Sequence, residues 1–397
     1  MNKDLVIAAV GDIVVMRDKP RSMFEHVKDE LQAADITFGQ LETAYSAKGS
    51  RGSSGPRGVL PKDPANREAL AWAGFDVISM ASNHTSDWGA DALLDCIHHL
   101  RKDGIKPIGA GATITEAREP AIFEMDGHKI AFLAYCSVAP DGYYAASNKP
   151  GSVPMRAITH YEPFEPDQPG TPARIMTFPV EKDLAALIDD VHKAKQQADL
   201  VAMSIHWGIH GLRGALADYQ QVVAHEAIDA GVDIILGHHP HMLKGIEVYH
   251  GKPIFYSLGN FAIEPRTPRF FETVNQDWIQ ESAEFYGKPD APTSAWKLLD
   301  EMTVIARWTV SRDGEQRASF IPCVFGNGNE PMPVDPGSPE GAKIVDFVTS
   351  ITAEAGLNAK FTVSGREVFV DCSINGRKIN SPENAGQPTS QPLQRKV

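Results

Sequence analysis

Five short apolar runs in this sequence are each followed closely by residues that can bind a metal ion. In chain order those residues are Asp12, Glu42, Asn83 with His84, His206, and the pair His239 and His241. Carboxylate, carboxamide and imidazole ligands without a thiolate suit Mn²⁺, Fe or Zn²⁺ in a hydrolytic site. One carboxylate could bridge two ions about 3.5–4 Å apart, as two-metal hydrolases require. The sequence therefore predicts a centre for one or two divalent ions.

The most specific of these elements is the segment His239-Pro240-His241. In an extended segment residues i and i+2 point to the same side, so both imidazoles would face one site. Each of the other elements, taken alone, is as easily a turn or a loop. Their occurrence in order, each at the end of a strand-like run, favours a metal site over that interpretation.

The elements that must position these residues alternate between short apolar strands and amphipathic helices. Apolar residues at helical spacing indicate helices over 88–101 and 183–198, and a third helix over 217–230 ends before Gly231. This alternation predicts an α/β fold with one large sheet. In open α/β sheets, sites form at the carboxyl ends of the strands, so the five strand ends would converge there.

The motifs in combination resemble one known family. They are Gly11-Asp12, Leu41-Glu42, Ala81-Ser82-Asn83-His84, His206-Trp207-Gly208, Gly237-His238-His239-Pro240-His241 and the segment 256–261, Tyr-Ser-Leu-Gly-Asn-Phe. Together they resemble the poly-γ-glutamate capsule-synthesis (CapA-type) family of the calcineurin-like metallophosphoesterase superfamily, over roughly residues 5–262. The resemblance implies a four-layer αββα sandwich with a dinuclear centre at the sheet edge, here with a C-terminal β/α extension.

The resemblance also implies roles for single residues. Asp12 and His241 would hold the first ion, and Glu42 would bridge the two. The second ion would be held by Asn83, His206 and His239. His84 would be the acid that faces the leaving group, and a metal-activated hydroxide would be the nucleophile.

Three positions depart from the superfamily's usual pattern. Val14 stands where the first motif normally has a histidine, so the first ion lacks the imidazole that this position usually supplies. Glu42 is one methylene longer than the usual bridging Asp. His210 stands where relatives often carry Glu, as an added ligand, a substrate contact or a solvated loop residue. These departures leave both the number of ions and phosphatase activity open.

Candidate substrate contacts lie outside the ligand set. Arg51 and Arg57, in the Gly/Ser-rich segment 46–64, could clamp an anionic substrate, although we favour a solvated flexible loop. Asn260 could hydrogen-bond a ligating histidine. A strand that ends in a tight glycine turn also accounts for the segment 256–261 that contains Asn260, and we favour that structural interpretation.

Composition limits the partners. The 397 residues carry a net charge of −13, which argues against a nucleic-acid partner or a polybasic membrane contact. No apolar run reaches the length of about 18 residues needed to span a bilayer. The apolar run Leu5–Val10 is too short for a signal-peptide core, so we expect a mature cytoplasmic protein. Four separated cysteines predict reduced thiols.

We expect a catalytic domain over residues 1–300 with insertions at 46–64, 140–172 and 264–300. An extension over 301–372 would pack on it and comprise a β pair around Asp313-Gly314, a helix over 339–355 and two short strands. A polar tail would follow over 373–397. The extension could lie at a subunit contact, which leaves a homodimer open.

The predicted function is that of a metal-dependent hydrolase. It would cleave a phosphoester, amide or ester bond of a small anionic organic substrate. One alternative is an accessory protein in γ-glutamyl polymer synthesis. The other is a binding protein that keeps a metal site without turnover.

Overall fold

Two β-sheets make up the core of the computed structural model, which describes residues 4–50, 63–264 and 302–373. The first sheet has the order β19-β20-β17-β16-β1-β2-β3-β4, with β15 beside β1 and β18 beside β17. Its strands are β1 (Leu5–Val14), β2 (Ile36–Leu41), β3 (Val77–Ser79), β4 (Lys106–Ile108), β15 (Asn260–Ile263), β16 (Met302–Val310), β17 (Gln316–Phe325), β18 (Pro331–Pro333), β19 (Phe361–Ser364) and β20 (Glu367–Val370).

The second sheet has six strands in the order β13-β14-β12-β11-β7-β6. They are β6 (Ala121–Met125), β7 (His128–Cys136), β11 (Leu200–His206), β12 (Ile234–His238), β13 (Ile246–Tyr249) and β14 (Lys252–Phe255). Strands β7, β11, β12 and β14 run parallel, as do β1 to β4 in the first sheet. The carboxyl ends of each parallel set therefore lie together at one edge of its sheet.

The two sheets pack face to face through alternating apolar side chains. Ile7 and Ala9 of β1 enter the same buried cluster as Phe132 of β7, while Ala8 faces the opposite side of the first sheet. The ring of Phe38 stacks on that of Phe132 at 6.2 Å across the interface. This two-residue period is what a strand requires when both of its faces are buried.

Helices cover the two outer faces and complete four layers. The helices of the described ranges are α1 (Lys28–Gln32), α2 (Glu68–Ala73), α3 (Gly89–Lys102), α4 (Ile114–Ala117), α5 (Glu181–Lys195), α6 (Asp218–Ala230) and α7 (Pro339–Glu354), with 3₁₀ turns at Pro20–Phe24, Pro64–Arg67 and Asp141–Tyr143. The apolar side chains of α7 enter the cluster between the two sheets. Helices α1 to α3 pack on the first sheet, and α5 and α6 pack on the second. The predicted α/β sandwich is confirmed, and Gly231 ends α6 with a positive φ of 123°. The single large sheet expected from the alternation of strands and helices is wrong, because the strands divide between two packed sheets.

The C-terminal segment contributes strands to the first sheet. Strands β16 and β17 form the hairpin predicted around Asp313-Gly314, and β16 pairs antiparallel with β1 from Leu5 opposite Val310 to Ala9 opposite Ala306. Helix α7 and strands β19 and β20 follow as predicted. The division of the chain at residue 300 stays a prediction, but residues 302–325 are hydrogen-bonded into the sandwich rather than laid on its surface.

The predicted insertion over 140–172 contains regular structure. Strand β5 (Ala110–Gly111) pairs with β8 (Gly151–Ser152), and β9 (Ala157–Pro163) pairs with β10 (Ala173–Pro179) in an antiparallel hairpin. The segments 51–62, 265–301 and 374–397 lie outside the described residues, and so does most of the predicted insertion over 264–300. No helix in the described ranges is long and apolar enough to span a bilayer.

Candidate metal centre

Asp12 is positioned by a break in the regular pairing of β1. The register of β1 against β2 shifts between Ala9 and Asp12, and its register against β15 shifts just after Asp12. Such a bulge re-aims a side chain. Gly11 permits the close crossing here, because a Cβ at this position would lie 1.9 Å from the carbonyl oxygen of Gly259. We expected β1 to end before Asp12. The strand instead continues through Asp12 to Val14.

Glu42, Asn83 and His206 come from three different parallel strands and meet at one point. Glu42 directly follows β2, Asn83 follows β3, and His206 is the last residue of β11. The Nε2 atom of His206 lies 2.8 Å from Oδ1 of Asn83 and 3.1 Å from Oε1 of Glu42. The oxygen atoms of Asn83 and Glu42 therefore face Nε2 of His206. Such close contact requires either a proton on Nε2 or a cation between the three atoms.

The buried oxygen and nitrogen atoms of the centre lack some of the hydrogen bonds that burial requires, and their types and spacing suit a metal ion. Ligand atoms of Asp12, Glu42 and His206 all lie within 4.8 Å of one another, and all three residues are buried. Oδ1 of Asp12 and Oε1 of Glu42 make no hydrogen bond with the described residues. Buried polar atoms are nearly always satisfied, so the chemistry of these atoms fits a site that could hold an ion.

Burial and neighbouring charges set the protonation states. Burial raises the pKa of Glu42 to about 7, with the nearby Asp12 carboxylate adding to the rise and His241 opposing it. Burial alone would raise the pKa of Asp12 as well, but contact with His238 and the charges of the other imidazoles lower it overall. Burial lowers the pKa of His206 to about 4. The imidazole is therefore neutral at pH 7, as a metal ligand must be.

The segment His239-Pro240-His241 reaches the site by a route that the sequence did not predict. His239 and His241 adopt φ angles of 96° and 57°, so the extended geometry that we expected is wrong. These two left-handed residues turn the chain sharply. The side chains of His239 and His241 therefore do not point to the same side as they would in an extended strand. The His239 ring lies 4.9 Å from that of His206, while Nε2 of His241 lies 3.9 Å from Oε2 of Glu42.

Asn260 contacts a histidine of the centre. Nδ1 of His241 donates to Oδ1 of Asn260 at 2.8 Å, and β15 pairs with β1 so that Asn260 lies opposite Asp12. This hydrogen bond fixes the ring and leaves Nε2 directed towards Glu42. A substrate-binding role for Asn260 stays a prediction.

His84 lies at the rim of the centre and is oriented by two partners. Its Nδ1 lies 2.8 Å from Oδ2 of Asp87, and Tyr143 donates its hydroxyl hydrogen to the other oxygen of the same carboxylate at 3.1 Å. The ring is 15% exposed, and its charge influences the pKa of Glu42 and of His206. His84 is therefore both accessible and electrostatically coupled to the buried ligands.

Sequence reasoning overlooked two residues of this centre. His238, the last residue of β12, is fully buried with Nδ1 3.4 Å from Oδ1 of Asp12. Its pKa is lowered by burial, and neither ring nitrogen makes a hydrogen bond with the described residues. Its position two residues after the apolar run 234–236 was the available signal. For Asp87, the only indication in the sequence was that it lies three residues after His84, close enough to contact that side chain.

The remaining predicted residues have different outcomes. His210 is half-buried, and its ring lies 4.0 Å from the ring of His239. Arg51 and Arg57 lie outside the described residues, so their predicted contact with an anionic substrate stays a prediction. The structure thus brings together Asp12, Glu42, Asn83, His84, His206, His210, His239, His241 and Asn260, with His238 added.

Comparison with known proteins places this centre in a family. Residues 6–265 match the family described as "Bacterial capsule synthesis protein PGA_cap". The match covers well over half of the chain and includes every residue of the centre. The chain belongs to this family. PGA_cap proteins are members of the calcineurin-like metallophosphoesterase superfamily, and the four-layer sandwich agrees with that membership.

Individual relatives match the same part of the chain. "PGA biosynthesis protein CapA" of Bacillus subtilis (strain 168) is 29% identical over 264 residues, covering 64% of this chain and 62% of the relative. "Capsule biosynthesis protein CapA" of Bacillus anthracis is 28% identical over 277 residues, covering 66% of this chain and 61% of the relative. A "Probable polyglutamine synthesis accessory protein" of Mycobacterium tuberculosis (strain ATCC 25618 / H37Rv) is 32% identical over 237 residues, covering 58% of this chain and 56% of the relative.

The matches to these relatives cover only part of their length. The matched segment spans about three fifths of the length of these relatives. A solved structure of a hypothetical protein from Thermus thermophilus aligns with 83% of this chain and 96% of its own, at 15% identity and a TM-score of 0.41. That similarity is too low to bear on fold or function.

Proposed function

We propose that this chain is a metal-dependent hydrolase that cleaves a phosphoester, amide or ester bond of a small anionic organic substrate. The observation that carries the proposal is the buried set of Asp12, Glu42 and His206, whose ligand atoms converge while Oδ1 of Asp12 and Oε1 of Glu42 make no hydrogen bond with the described residues. Carboxylate and neutral imidazole donors suit Mn²⁺, Fe or Zn²⁺.

The residues of the centre would hold one or two divalent ions. The first ion would be held by Asp12 and His241, the second by Asn83, His206 and His239, with Glu42 shared. When bound, such ions activate water near neutral pH and stabilise the negative charge that develops on the attacked group. The chain itself contributes a dry pocket, because Asp12, Glu42 and His206 are nearly inaccessible to solvent.

His84 would donate the proton that the leaving group needs. Asp87 accepts from Nδ1 and holds that nitrogen protonated, so proton transfer would use the other ring nitrogen, Nε2. Tyr143 holds the Asp87 carboxylate in turn. This chain of contacts fixes the orientation of His84 without making it a buried ligand, which is the arrangement that a general acid requires.

The experiment is a hydrolysis screen with protein loaded with Mn²⁺, Fe²⁺ or Zn²⁺. Aryl phosphates, aryl esters and γ-glutamyl amides represent the three bond classes. We expect turnover of one class, and we expect His84→Ala to lower kcat about 10²–10⁴-fold while metal content is unchanged. His192→Ala, an exposed position on α5, is the matched control. Loaded protein that turns over none of the three classes would contradict the proposal.

The names of the relatives favour a second candidate function. They describe synthesis or accessory roles in capsule or polyglutamine formation. In that case the chain would support γ-glutamyl polymer synthesis without hydrolysis. Complementation of a polymer-deficient strain separates the two. His84→Ala should restore polymer fully if the role is accessory, and should fail if turnover is needed.

A further inference from the structure

We propose that His210 is a ligand of the first metal ion and supplies the imidazole that position 14 lacks. This inference rests on the proposed metal centre and adds one residue to it. Val14 ends β1 and packs against Ile263, so strand β1 offers no donor beyond Asp12. The first ion otherwise has Asp12, His241 and the shared Glu42, which is one imidazole fewer than the second ion has.

Distances between rings assign the histidines to two different ions. Two imidazoles on one ion, with metal–nitrogen bonds of about 2.0–2.1 Å, have ring centroids about 5 Å apart. The His206 and His239 rings are 4.9 Å apart, and the His210 and His241 rings are 5.1 Å apart. These pairs match the second and the first ion respectively.

The other two ring pairs do not fit a shared ion. His210 and His239 are 4.0 Å apart with an angle of 33° between their planes, which is a stacked arrangement too close for one ion. His239 and His241 are 6.2 Å apart. The four rings therefore divide into one pair for each ion, with His210 and His239 stacked at the boundary.

Lys244 fixes the loop that carries His210. The loop connects β11 to α6 over residues 207–217. The Lys244 ammonium donates to the carbonyl oxygen of Leu212 and, at 3.2 Å, to that of Ala215. The backbone N–H of Leu212 donates to the carbonyl oxygen of His210 at 2.8 Å. Lys244 is itself nearly inaccessible, so the loop is held from the protein interior.

The C-terminal helix fixes the same loop from outside. Arg213 donates to Glu354 at 3.0 Å and to Ser350 at 2.8 Å, both on α7, and its guanidinium lies over the Phe347 ring at 4.9 Å. At the start of the loop, the N–H of Gly208 donates to the hydroxyl oxygen of Tyr219 at 2.9 Å. A loop held at three places presents its side chain in one position, as a ligand needs.

Metal stoichiometry tests this assignment. Wild type, His210→Ala and the matched loop control Leu212→Ala are stripped of metal, reloaded with Zn²⁺ or Mn²⁺, and dialysed. We expect about two ions per chain in wild type and in Leu212→Ala, and about one in His210→Ala. The affinity of the weaker site should fall at least 10-fold. Metal-free thermal unfolding shows whether the variants fold alike.

A second variant separates ligation from loop packing. His210→Glu places another donor at the same position and should restore binding of the first ion, whereas His210→Leu should not. Visible absorption of the Co²⁺-loaded proteins reports the geometry of the ions directly, and it should change in His210→Ala but not in Leu212→Ala.

Two results would overturn the assignment without touching the proposed function. The first is two ions in His210→Ala with affinities within twofold of wild type. The second is a single ion in both wild type and His210→Ala. A wild-type chain that binds no ion would instead remove the metal centre and this inference together.

Discussion

Glu42 is the residue on which both proposed ions depend. It lies between His206 at 3.1 Å and His241 at 3.9 Å, and it is buried among other ionisable groups. A buried carboxylate without a cation is costly when it is ionised. Burial raises the pKa of Glu42 to about 7, so the metal-free protein carries this cost at pH 8.

We therefore expect opposite effects of Glu42→Gln on metal binding and on metal-free stability. Metal affinity should fall at least 10-fold, because the shared carboxylate is lost. Metal-free protein at pH 8 should be at least as stable as metal-free wild type, because the ionised group is gone. Elemental analysis and urea unfolding measure the two effects. Loss of metal-free stability with unchanged metal content would indicate a purely structural Glu42.

Residue types predicted which side chains lie together, and backbone geometry explains what they did not predict. Asp12, Glu42 and His206 were readable because each follows an apolar run. The approach of His239 and His241 was misjudged because a positive φ at a non-glycine residue leaves no mark in the sequence. His238 was passed over because its neighbours appeared to complete the motif.

Among the elements, the loop over 207–217 joins the centre to the C-terminal segment. Burial lowers the pKa of Lys244 to about 8, against an ordinary value of 10.5. Between those two pH values the unfolded chain binds a proton that the folded chain does not. Stability attributable to Lys244 therefore rises with pH from about 8 to about 10.5, by about 3 kcal/mol.

Lys244→Met should remove this pH dependence. The variant keeps an unbranched side chain but has no titrating group, so its unfolding free energy should rise less between pH 8 and pH 10 than that of wild type. Lys129→Met, at an exposed position, is the control and should follow wild type. Urea unfolding at several pH values measures the slopes. Equal slopes for Lys244→Met and wild type would show that Lys244 does not titrate in this range.

Strands and helices were predictable where hydrophobic periodicity was strong. Helices α3, α5 and α6 and the hairpin of β16 and β17 lie where the sequence indicated. The hairpin of β9 and β10 was not predicted, because a two-stranded element with Ile158, Tyr161 and Ile175 exposed lacks the pattern of one buried face. Pairing of β16 with β1 was also unreadable, since long-range strand order leaves no local signal.

On the scale of the whole molecule, the C-terminal segment completes the sandwich. Trp308 of β16 and Phe320 of β17 are buried in the core between the sheets, and β16 covers the edge of β1. The cytoplasmic location, the small-molecule substrate and the homodimer stay predictions. So does the interpretation of residues 373–397 as a polar tail.

A chain ended at residue 300 should therefore fail to fold cooperatively. It would expose the edge of β1, the strand that carries Asp12, and would lose the buried area of two long strands. A chain ended at residue 373 should melt within a few degrees of the full chain. Circular dichroism with thermal unfolding compares them. A cooperative transition in the 1–300 chain with full metal content would make the C-terminal segment dispensable.

Metal content of the wild-type chain tests the central claim most directly. Protein purified without added metal or chelator is measured by elemental analysis as ions per chain, with Glu42→Gln prepared in parallel. The account predicts close to two Mn, Fe or Zn ions per wild-type chain and a clear loss in the variant. Wild type that holds no divalent ion, even after reconstitution with each metal, would contradict it.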